Sequence, residues 1–298
     1  MNLVHLRYFV EVADTGSISK AARNLYVTQP AVSMAIRELE NEFECQLLTR
    51  NKGKAYLTTA GQYLYKSSKE ITRDFDNLKK NMLNFVGKSK FIKVGIPPML
   101  GTFVLPNLLS NYSVEYPNSQ IQLLELGSKD VEKAILEQEV SLGFIVIKKD
   151  DSLNPDFEYF DILDTELLFT VSSHSAFAKQ KSIDFNSLAD YPLILMNDGT
   201  LQSILVQNAF KERKLVPNIV IKSNQIYTIK QLLLNNDLGA FFFNQVVDNE
   251  DELVGIPLSE PIKLKICLIH KSNMHISKDD KAFLDYVLRQ VEQKYKKT

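Results

Sequence analysis

The 298-residue chain has only two cysteines and four histidines, and no apolar run long enough to cross a membrane. A spanning helix needs about 20 apolar residues, and the first residues lack the basic region and cleavage site of a signal peptide. We therefore expect a cytoplasmic protein without a membrane partner. Cys45 and Cys267 have no CxxC spacing, which favours free thiols over a redox pair. Because the histidines are scattered, we expect neither a metal site nor a cofactor.

A nucleophile elbow of the GxSxG type is also absent from the sequence. Ser172-Ser173-His174-Ser175 places serines beside a histidine, but adjacent residues at the end of a strand cannot supply nucleophile, base and orienting acid in one geometry. We therefore expect no catalytic residues and no enzyme activity.

A large excess of charge of one sign is lacking too, because the net charge is −1. The distribution is nevertheless uneven: residues 1 to 92 carry 14 Lys and Arg against 9 Asp and Glu, whereas the remainder carries 21 against 27. The basic N-terminal part permits contact with nucleic acid, although a solvated lysine-rich helix would give the same count. The length indicates two or three domains, and 45% hydrophobic residues suffice for a core.

Three short amphipathic helices are predicted at the N-terminus. The first carries apolar residues at helical spacing from Leu3 to Ala13 and ends at Gly16, and the second covers about residues 17 to 25, where Ala21 and Ala22 allow close packing. Thr28 suits the N-cap of the third helix, and Pro30 is tolerated in its first turn. This order predicts a helix-turn-helix, whose second member enters the major groove of DNA.

The third helix has two different faces. Val32, Ile36, Leu39 and Phe43 recur at helical spacing and should face a core. On another flank lie Gln29, Ser33 and Arg37, side chains that can hydrogen-bond to base edges and phosphates. After this helix, Asn51-Lys52-Gly53-Lys54 forms a turn between two short β-prone runs, which predicts a wing with Arg50, Lys52 and Lys54 on the phosphate backbone.

Together these residues resemble the winged helix of the LysR-type transcriptional regulators over residues 1 to 62. The matching residues are Leu6, Phe9, Ala21-Ala22, Leu25, Gln29-Pro30-Ala31-Val32-Ser33, Ile36, Leu39-Glu40, Leu47-Leu48, Arg50, Leu57-Thr58 and Ala60-Gly61. One departure is Met34, where the family usually carries arginine. We predict a DNA-binding set made of Thr28, Gln29, Pro30, Ser33, Met34, Arg37, Arg50, Lys52 and Lys54.

A long helix is predicted over residues 58 to 88, and residues 63 to 90 form the linker of the predicted domain organisation. Its apolar seam follows a and d positions, with one polar gap: Leu64, Ser68, Ile71, Phe75, Leu78, Met82 and Phe85. A seam this narrow favours pairing with a second copy, although a helix laid on its own domain is the alternative. The resemblance, in which this helix pairs two DNA-binding domains, favours a homodimer and beyond it a dimer of dimers, and it adds RNA polymerase as a partner.

From residue 91 onward the pattern alternates between strands and helices, which predicts parallel α/β structure. We expect strands at 91 to 96, 121 to 126 and 140 to 147, helices at 102 to 115 and 128 to 138, and a second set that begins near Glu166. The resemblance implies two lobes of the periplasmic-binding-protein kind over residues 91 to 298, joined by crossover strands near 160 to 165 and 256 to 264. Lobe one is then 91 to 162 plus 266 to 298, and lobe two is 163 to 265.

Ligands of open α/β sheets bind beyond the carboxyl ends of strands, where helices begin. The loops at those points give the predicted effector site: Pro97, Pro98, Met99, Leu100, Gly101, Thr102, Gly127, Ser128, Asn197, Asp198, Ser223 and Asn224. The family commonly has Ser or Thr at the position of Met99. We therefore predict a sequence-specific DNA-binding transcriptional regulator whose activity is modulated by a small organic effector. The alternatives are a cytoplasmic two-lobed ligand-binding protein and an enzyme of related fold.

Overall fold

The computed structural model describes residues 1–51, 54–85, 91–248, 250–274 and 276–295. They divide into two compact units, Met1–Lys88 and Ser89–Thr298. No helix in these ranges is long and apolar enough to cross a bilayer. Both cysteines are free thiols, as predicted. Cys267 is buried in the second unit, and burial raises the pKa of its thiol to about 12.

The first unit is a three-helix core with a hairpin and a long helix. Its elements are α1 (Leu3–Thr15), α2 (Ile18–Asn24), α3 (Gln29–Glu42), β1 (Leu48–Asn51), β2 (Lys54–Leu57) and α4 (Thr59–Phe85). Gly16 ends α1 in the left-handed region at φ 63°, and the Ser17 side chain then accepts from Lys20 N to cap α2. The predicted order of elements is confirmed. The helix expected over 58 to 88 is described as Thr59–Phe85, and residues 86–90 lie outside the described part.

The core of the first unit joins α1, α2 and α3. Its buried apolar residues are Leu6, Phe9, Val12, Ala21, Ala22, Val32, Ile36, Leu39 and Leu47. Glu40 connects the end of α3 to the hairpin, because its carboxylate accepts hydrogen bonds from Leu47 N at 2.9 Å and Leu48 N at 3.2 Å. At Gly61 a Cβ would lie 2.0 Å from the Leu47 carbonyl oxygen, so only glycine allows α4 to start this close to β1. The Glu40 contact fixes the hairpin relative to α3, and the Gly61 contact fixes it relative to α4.

The second unit is an α/β structure built on one continuous sheet path. Its elements are β3 (Phe91–Ile96), α5 (Pro98–Gly101), α6 (Leu105–Glu115), β4 (Gln120–Glu125), α7 (Ser128–Leu136), β5 (Leu142–Lys148), β6 (Phe157–Ser172), β7 (Leu193–Leu195), α8 (Leu201–Glu212), β8 (Ile219–Lys222), α9 (Ile226–Asn235), β9 (Gly239–Phe243), α10 (Asn244–Val247), β10 (Leu253–Pro257), β11 (Lys263–Lys271) and α11 (Lys278–Tyr295). Two short 3-10 turns, Ala176–Lys179 and Phe185–Leu188, follow β6. The strand order is β4-β3-β5-β11-β6-β9-β7-β8, and β10 also pairs with β6.

Parallel pairs lie at both ends of this path, and antiparallel pairs lie between them. β3 runs parallel to β4 and β5, and β7 runs parallel to β8 and β9, whereas β11 and β6 run antiparallel to their neighbours. β6 changes partners part-way: residues 157–166 pair with β11, and residues 167–172 pair with β9, β10 or both. Two parallel α/β halves therefore share one strand. The α/β fold class is confirmed, whereas the lobe boundaries stay a prediction.

Two predicted elements of this unit were wrong in extent. The helix expected over 102 to 115 starts three residues later, as α6 at Leu105, because Pro106 fits only the first turn of a helix. The separate short helix α5 ends at Gly101, before the predicted range. The strand expected near Glu166 is the second half of β6, which begins at Phe157. The first half of β6 mixes buried and exposed residues, whereas the second half is continuously buried, so the two halves read as separate elements in the sequence.

Candidate nucleic-acid interface and ligand cleft

The start of α3 is fixed by its cap and by the buried stripe behind it. Thr28 Oγ1 accepts from Ala31 N at 3.4 Å, and Pro30 occupies the first turn, where its missing N–H removes no hydrogen bond. Val32, Ala35, Ile36 and Leu39 are buried, which sets the rotation of the helix about its own axis. Phe43, expected on the core side, is exposed and lies just past the end of α3 at the C-cap.

The opposite face of α3 is open to solvent. At about 100° per residue, Pro30, Met34 and Arg37 lie within roughly 30° of the direction opposite the buried stripe. All three are exposed, as is Gln29, whereas Ser33 is half-buried. Pro30, Met34 and Arg37 thus share one accessible face of α3, and Gln29 and Ser33 lie to one side of it. A helix with such a face can enter a groove without losing core contacts.

A hydrogen bond between α2 and α3 fixes one of these side chains. Ser19 Oγ donates to Gln29 Oε1 at 3.0 Å, and both residues are exposed. With its carbonyl oxygen engaged, the Gln29 amide presents its N–H donors outward. Sequence reasoning missed Ser19, because the two residues stand ten apart on different helices and no local pattern links them.

The turn before α3 carries an exposed aromatic residue. Tyr26 adopts φ 56°, a left-handed conformation that is uncommon outside glycine, and its side chain is 96% exposed. Val27 N closes this turn onto Ala22 O at 3.0 Å. Tyr26 therefore stands beside Thr28 at the accessible end of α3, a position that the sequence assigned only to the turn.

The hairpin of β1 and β2 lies against the turn between α1 and α2. Ala55 N donates to Gly16 O at 2.9 Å, and Asn51 pairs with Lys54 at the end of the described ladder. The Lys54 side chain is exposed. The predicted contacts Lys52 and the Arg50 side chain lie outside the described residues.

The seam of α4 divides into two parts. Ser68 is buried in the first unit, and nearby Lys69 donates to Tyr65 Oη at 2.7 Å. This first part packs on its own domain, as the alternative reading had it. Further along, one face is exposed over three turns at Ile71, Phe75, Leu78 and Met82. Arg7 of α1 reaches this region, because its guanidinium pairs with Asp76 and lies 5.9 Å from the centroid of the Phe75 ring.

A cleft of about 340 Å³, measured with its opening to solvent, lies in the second unit. Its lining residues are Pro97, Pro98, Met99, Gly127, Ser128, Val146, Met196, Thr200, Leu201, Gln202 and Phe243. These residues stand at the carboxyl ends of strands and at the starts of α5, α7 and α8. Among the described residues that line the cleft, none carries a charge.

The polar side chains of the cleft already have partners inside the protein. Ser128 Oγ accepts from Val146 N at 3.0 Å. Gln202 accepts from Met196 N at 3.3 Å and donates to Phe241 O at 3.1 Å. Thr200 Oγ1 caps α8 by accepting from Ser203 N at 3.3 Å. The cleft therefore offers apolar side chains and the first backbone N–H groups of α7 and α8 to a ligand.

Two contacts bring the halves of the second unit together at this cleft. Met99 is 2% exposed, and its thioether sulfur accepts from Phe243 N at 3.4 Å. A Cβ at Gly127 would lie 3.6 Å from Gly199 O, so the loops before α7 and α8 stand almost in contact. Gly199 adopts φ 89°, which favours glycine. The cleft is thus narrow, with Met99 filling part of it.

Two family profiles match the sequence. The one described as "Bacterial regulatory helix-turn-helix protein, lysR family" matches residues 3–62, and the one described as "LysR substrate binding domain" matches residues 87–292, more than half of the chain. The chain belongs to the LysR family. It is a DNA-binding transcriptional regulator with a substrate-binding domain, and the family predicted from the sequence is confirmed.

Relatives of this LysR-family protein share its length. It is 28% identical over 291 residues to the uncharacterized HTH-type transcriptional regulator YwbI of Bacillus subtilis, and the alignment covers 96% of this chain and 95% of YwbI. It is also 28% identical to the hca operon transcriptional activator HcaR of Escherichia coli, over 84% of this chain and 83% of HcaR.

Solved structures of the LysR family share the fold. Full-length CbnR, crystallised with its target DNA, superposes with a TM-score of 0.63 at 19% identity, over 98% of this chain and 100% of CbnR. HinK of Pseudomonas aeruginosa superposes with a TM-score of 0.55 at 22% identity, over 97% of this chain and 98% of HinK.

The predicted effector residues of this LysR-family protein are only partly brought together. Pro97, Pro98, Met99, Gly127 and Ser128 line the cleft. The other predicted residues do not line it: Leu100, Gly101, Thr102, Asn197, Asp198, Ser223 and Asn224.

Internal contacts account for the residues outside the cleft. Leu100 is fully buried in the core, and Thr102 Oγ1 donates to Met99 O at 2.8 Å. Asn224 Oδ1 accepts from Asn197 N at 2.9 Å. Lys222 pairs with Asp198 at 2.7 Å, and this hydrogen bond lowers the pKa of the Asp198 carboxyl.

Several lining residues were missed. Val146 and Phe243 lie at the ends of β5 and β9, and Leu201 and Gln202 open α8. Ligands of open α/β sheets bind beyond the carboxyl ends of strands, where helices begin, and applying this generalisation to every parallel strand could have found them. Predicting which ends face one another needs the strand order, which a single sequence does not give.

Proposed function

We propose that this regulator reads duplex DNA with the exposed face of α3 in the major groove. Gln29, Ser33, Met34 and Arg37 contact base edges, while Thr28 and Pro30 lie against the adjacent backbone. Arg50, Lys52 and Lys54 of the hairpin bind phosphates. The observation that carries the proposal is the orientation of α3, whose buried stripe leaves its N-terminal polar face to solvent. CbnR, similar in fold, has been crystallised with its target DNA.

The proposed active form is a homodimer. The exposed apolar face of α4 at Ile71, Phe75, Leu78 and Met82 supports pairing with a second copy, because such a stripe is favourably buried. A dimer places two copies of α3 on successive major grooves of an interrupted palindrome. A dimer of dimers would extend contact along the DNA, and RNA polymerase is its proposed partner at the promoter. We place this activity in the cytoplasm.

The proposed effector is a small, mainly apolar organic molecule in the cleft. The uncharged lining and the internally paired polar side chains support this class, since a charged ligand would find no charged side chain there. Backbone N–H groups at the starts of α7 and α8 are available to one or two acceptor atoms. Binding changes how the two halves of the second unit close, and this changes the spacing of the paired α3 helices.

Two variants test the proposed roles in DNA binding. Arg37→Ala should lower the ratio of specific to random binding about tenfold, because a good base contact is worth about 1–3 kcal/mol. Lys54→Ala should weaken both kinds of binding and reduce the salt slope by about one unit. The measurement is fluorescence anisotropy at several salt concentrations, on a duplex selected by the protein and on a scrambled duplex. Equal changes for both variants would contradict the assigned roles.

Truncation separates the regulator from the two rival functions. A chain that lacks residues 1–88 should lose DNA binding and keep ligand binding, since the second unit has its own core. An enzyme of related fold would keep turnover of the ligand after this truncation. A two-lobed ligand-binding protein would show no specific DNA binding even at full length.

A further inference from the structure

Met34 is an apolar side chain at the centre of the polar face of α3. It is 60% exposed, and the buried stripe of Val32, Ala35 and Ile36 turns the other way. Arg37 is its exposed neighbour one turn on. A single exposed methionine needs no explanation elsewhere on a surface. Here it occupies the place that must meet the DNA if α3 enters the groove.

The chemistry of the major groove narrows what such a side chain can contact. Guanine presents two acceptors, adenine an acceptor and a donor, and cytosine a donor, whereas thymine presents a C5-methyl group beside its acceptor. Methionine has no donor, and its sulfur is only a weak acceptor. Against the polar edges it would cover groups that lose their water without a new partner. Against the thymine methyl it gains apolar contact, and its flexible chain adapts to the exact position.

We propose that Met34 is a specificity-determining residue that selects thymine by contact with its 5-methyl group, once in each half-site. This inference rests on the proposed entry of α3 into the major groove. At that position, recognition of the base then depends on a single methyl group. Deoxyuridine pairs as thymidine does and lacks only this methyl, so it isolates the contact.

The test uses the full-length protein and a duplex that it selects itself. Repeated selection from a random duplex pool gives the preferred sequence, and each thymidine is then replaced singly by deoxyuridine. At one position per half-site, the replacement should weaken binding of the protein about fourfold, the value expected for one buried methyl group. Replacement in both half-sites should give about fifteenfold. The measurement is the dissociation constant at one fixed salt concentration.

Variants assign the effect to the side chain. Met34→Ala should bind the thymidine and deoxyuridine duplexes equally, while Met34→Leu should keep most of the discrimination. Asn41→Ala is the matched control, because Asn41 is exposed on the same face about 10 Å farther along the helix. It should leave the discrimination unchanged.

Each outcome bears on the proposal. Loss of discrimination in Met34→Ala alone supports it. A wild-type protein indifferent to deoxyuridine at every position, or a discrimination that survives in Met34→Ala, overturns it while leaving sequence-specific binding intact. Selection that returns no preferred sequence overturns both this inference and the proposed DNA reading.

Discussion

Replacing Leu78 by aspartate should separate the proposed dimer. Leu78 is 57% exposed in the single chain, so pairing can bury roughly half of its surface. Full burial of a leucine is worth about 1.5–3 kcal/mol, so about 1 kcal/mol is at stake in each copy and about 2 kcal/mol in a two-fold dimer. The carboxylates add a desolvation cost. We therefore expect the dissociation constant of the dimer to rise by at least about thirtyfold.

Sedimentation velocity over a dilution series measures this change. Leu153→Asp is the matched control, because Leu153 is 54% exposed and lies in the loop between β5 and β6 of the second unit. The control should dimerise as the wild type does. Leu78→Asp should also bind a two-half-site duplex with the affinity of a single half-site. A Leu78→Asp protein that remains dimeric at the same dilution as the control would refute pairing through α4.

Three further changes test individual contacts. Ser19→Ala frees the Gln29 amide and should weaken specific DNA binding about twofold to tenfold, with no further effect when Gln29 is already alanine. Fluorescence anisotropy on the wild type, Ser19→Ala, Gln29→Ala and the double variant measures this coupling. Gln202→Leu leaves Met196 N and Phe241 O unpaired inside the second unit and should lower its free energy of unfolding by about 2–5 kcal/mol in urea titrations. Burial raises the pKa of the Asp280 carboxyl, and hydrogen bonds from Ser277 and Ser141 partly offset this rise. The stability that protonated Asp280 contributes is therefore complete below its unfolded-state pKa and is lost as the pH rises through its folded-state pKa. Asp280→Asn should therefore be more stable than wild type at pH 7 and lose this advantage below about pH 4, and exposed Asp285→Asn should show no such gain.

The N-terminal unit could be predicted from the sequence because its signals are local. The caps Ser17 and Thr28, the left-handed Gly16 and the spacing of the buried stripe all act within a few residues. The exposed face of α3 follows from that spacing alone. The division of the α4 seam did not follow, because Ser68 is buried by packing within the first unit, which depends on the tertiary fold.

The second unit was predicted less completely because its geometry depends on distant pairs. β6 meets β11 about a hundred residues later in the chain, and Met99 meets Phe243 across 144 residues. Helix starts and strand ends identified the loops before α5, α7 and α8, but not which of their residues face the cleft. Asn197 and Asp198 were predicted from their polar side chains. In the structure, however, the Asn197 backbone N–H donates to Asn224, and the Asp198 carboxylate pairs with Lys222.

The central claim is that the exposed face of α3 lies in the major groove of DNA. Dimethyl sulfate methylates guanine N7 in the major groove and adenine N3 in the minor groove, so protection of a selected duplex reports the two grooves separately. We predict protection of guanine N7 in two patches about one helical turn apart, lost in Arg37→Ala. Protection confined to adenine N3, or guanine protection that Arg37→Ala leaves unchanged, would contradict the account.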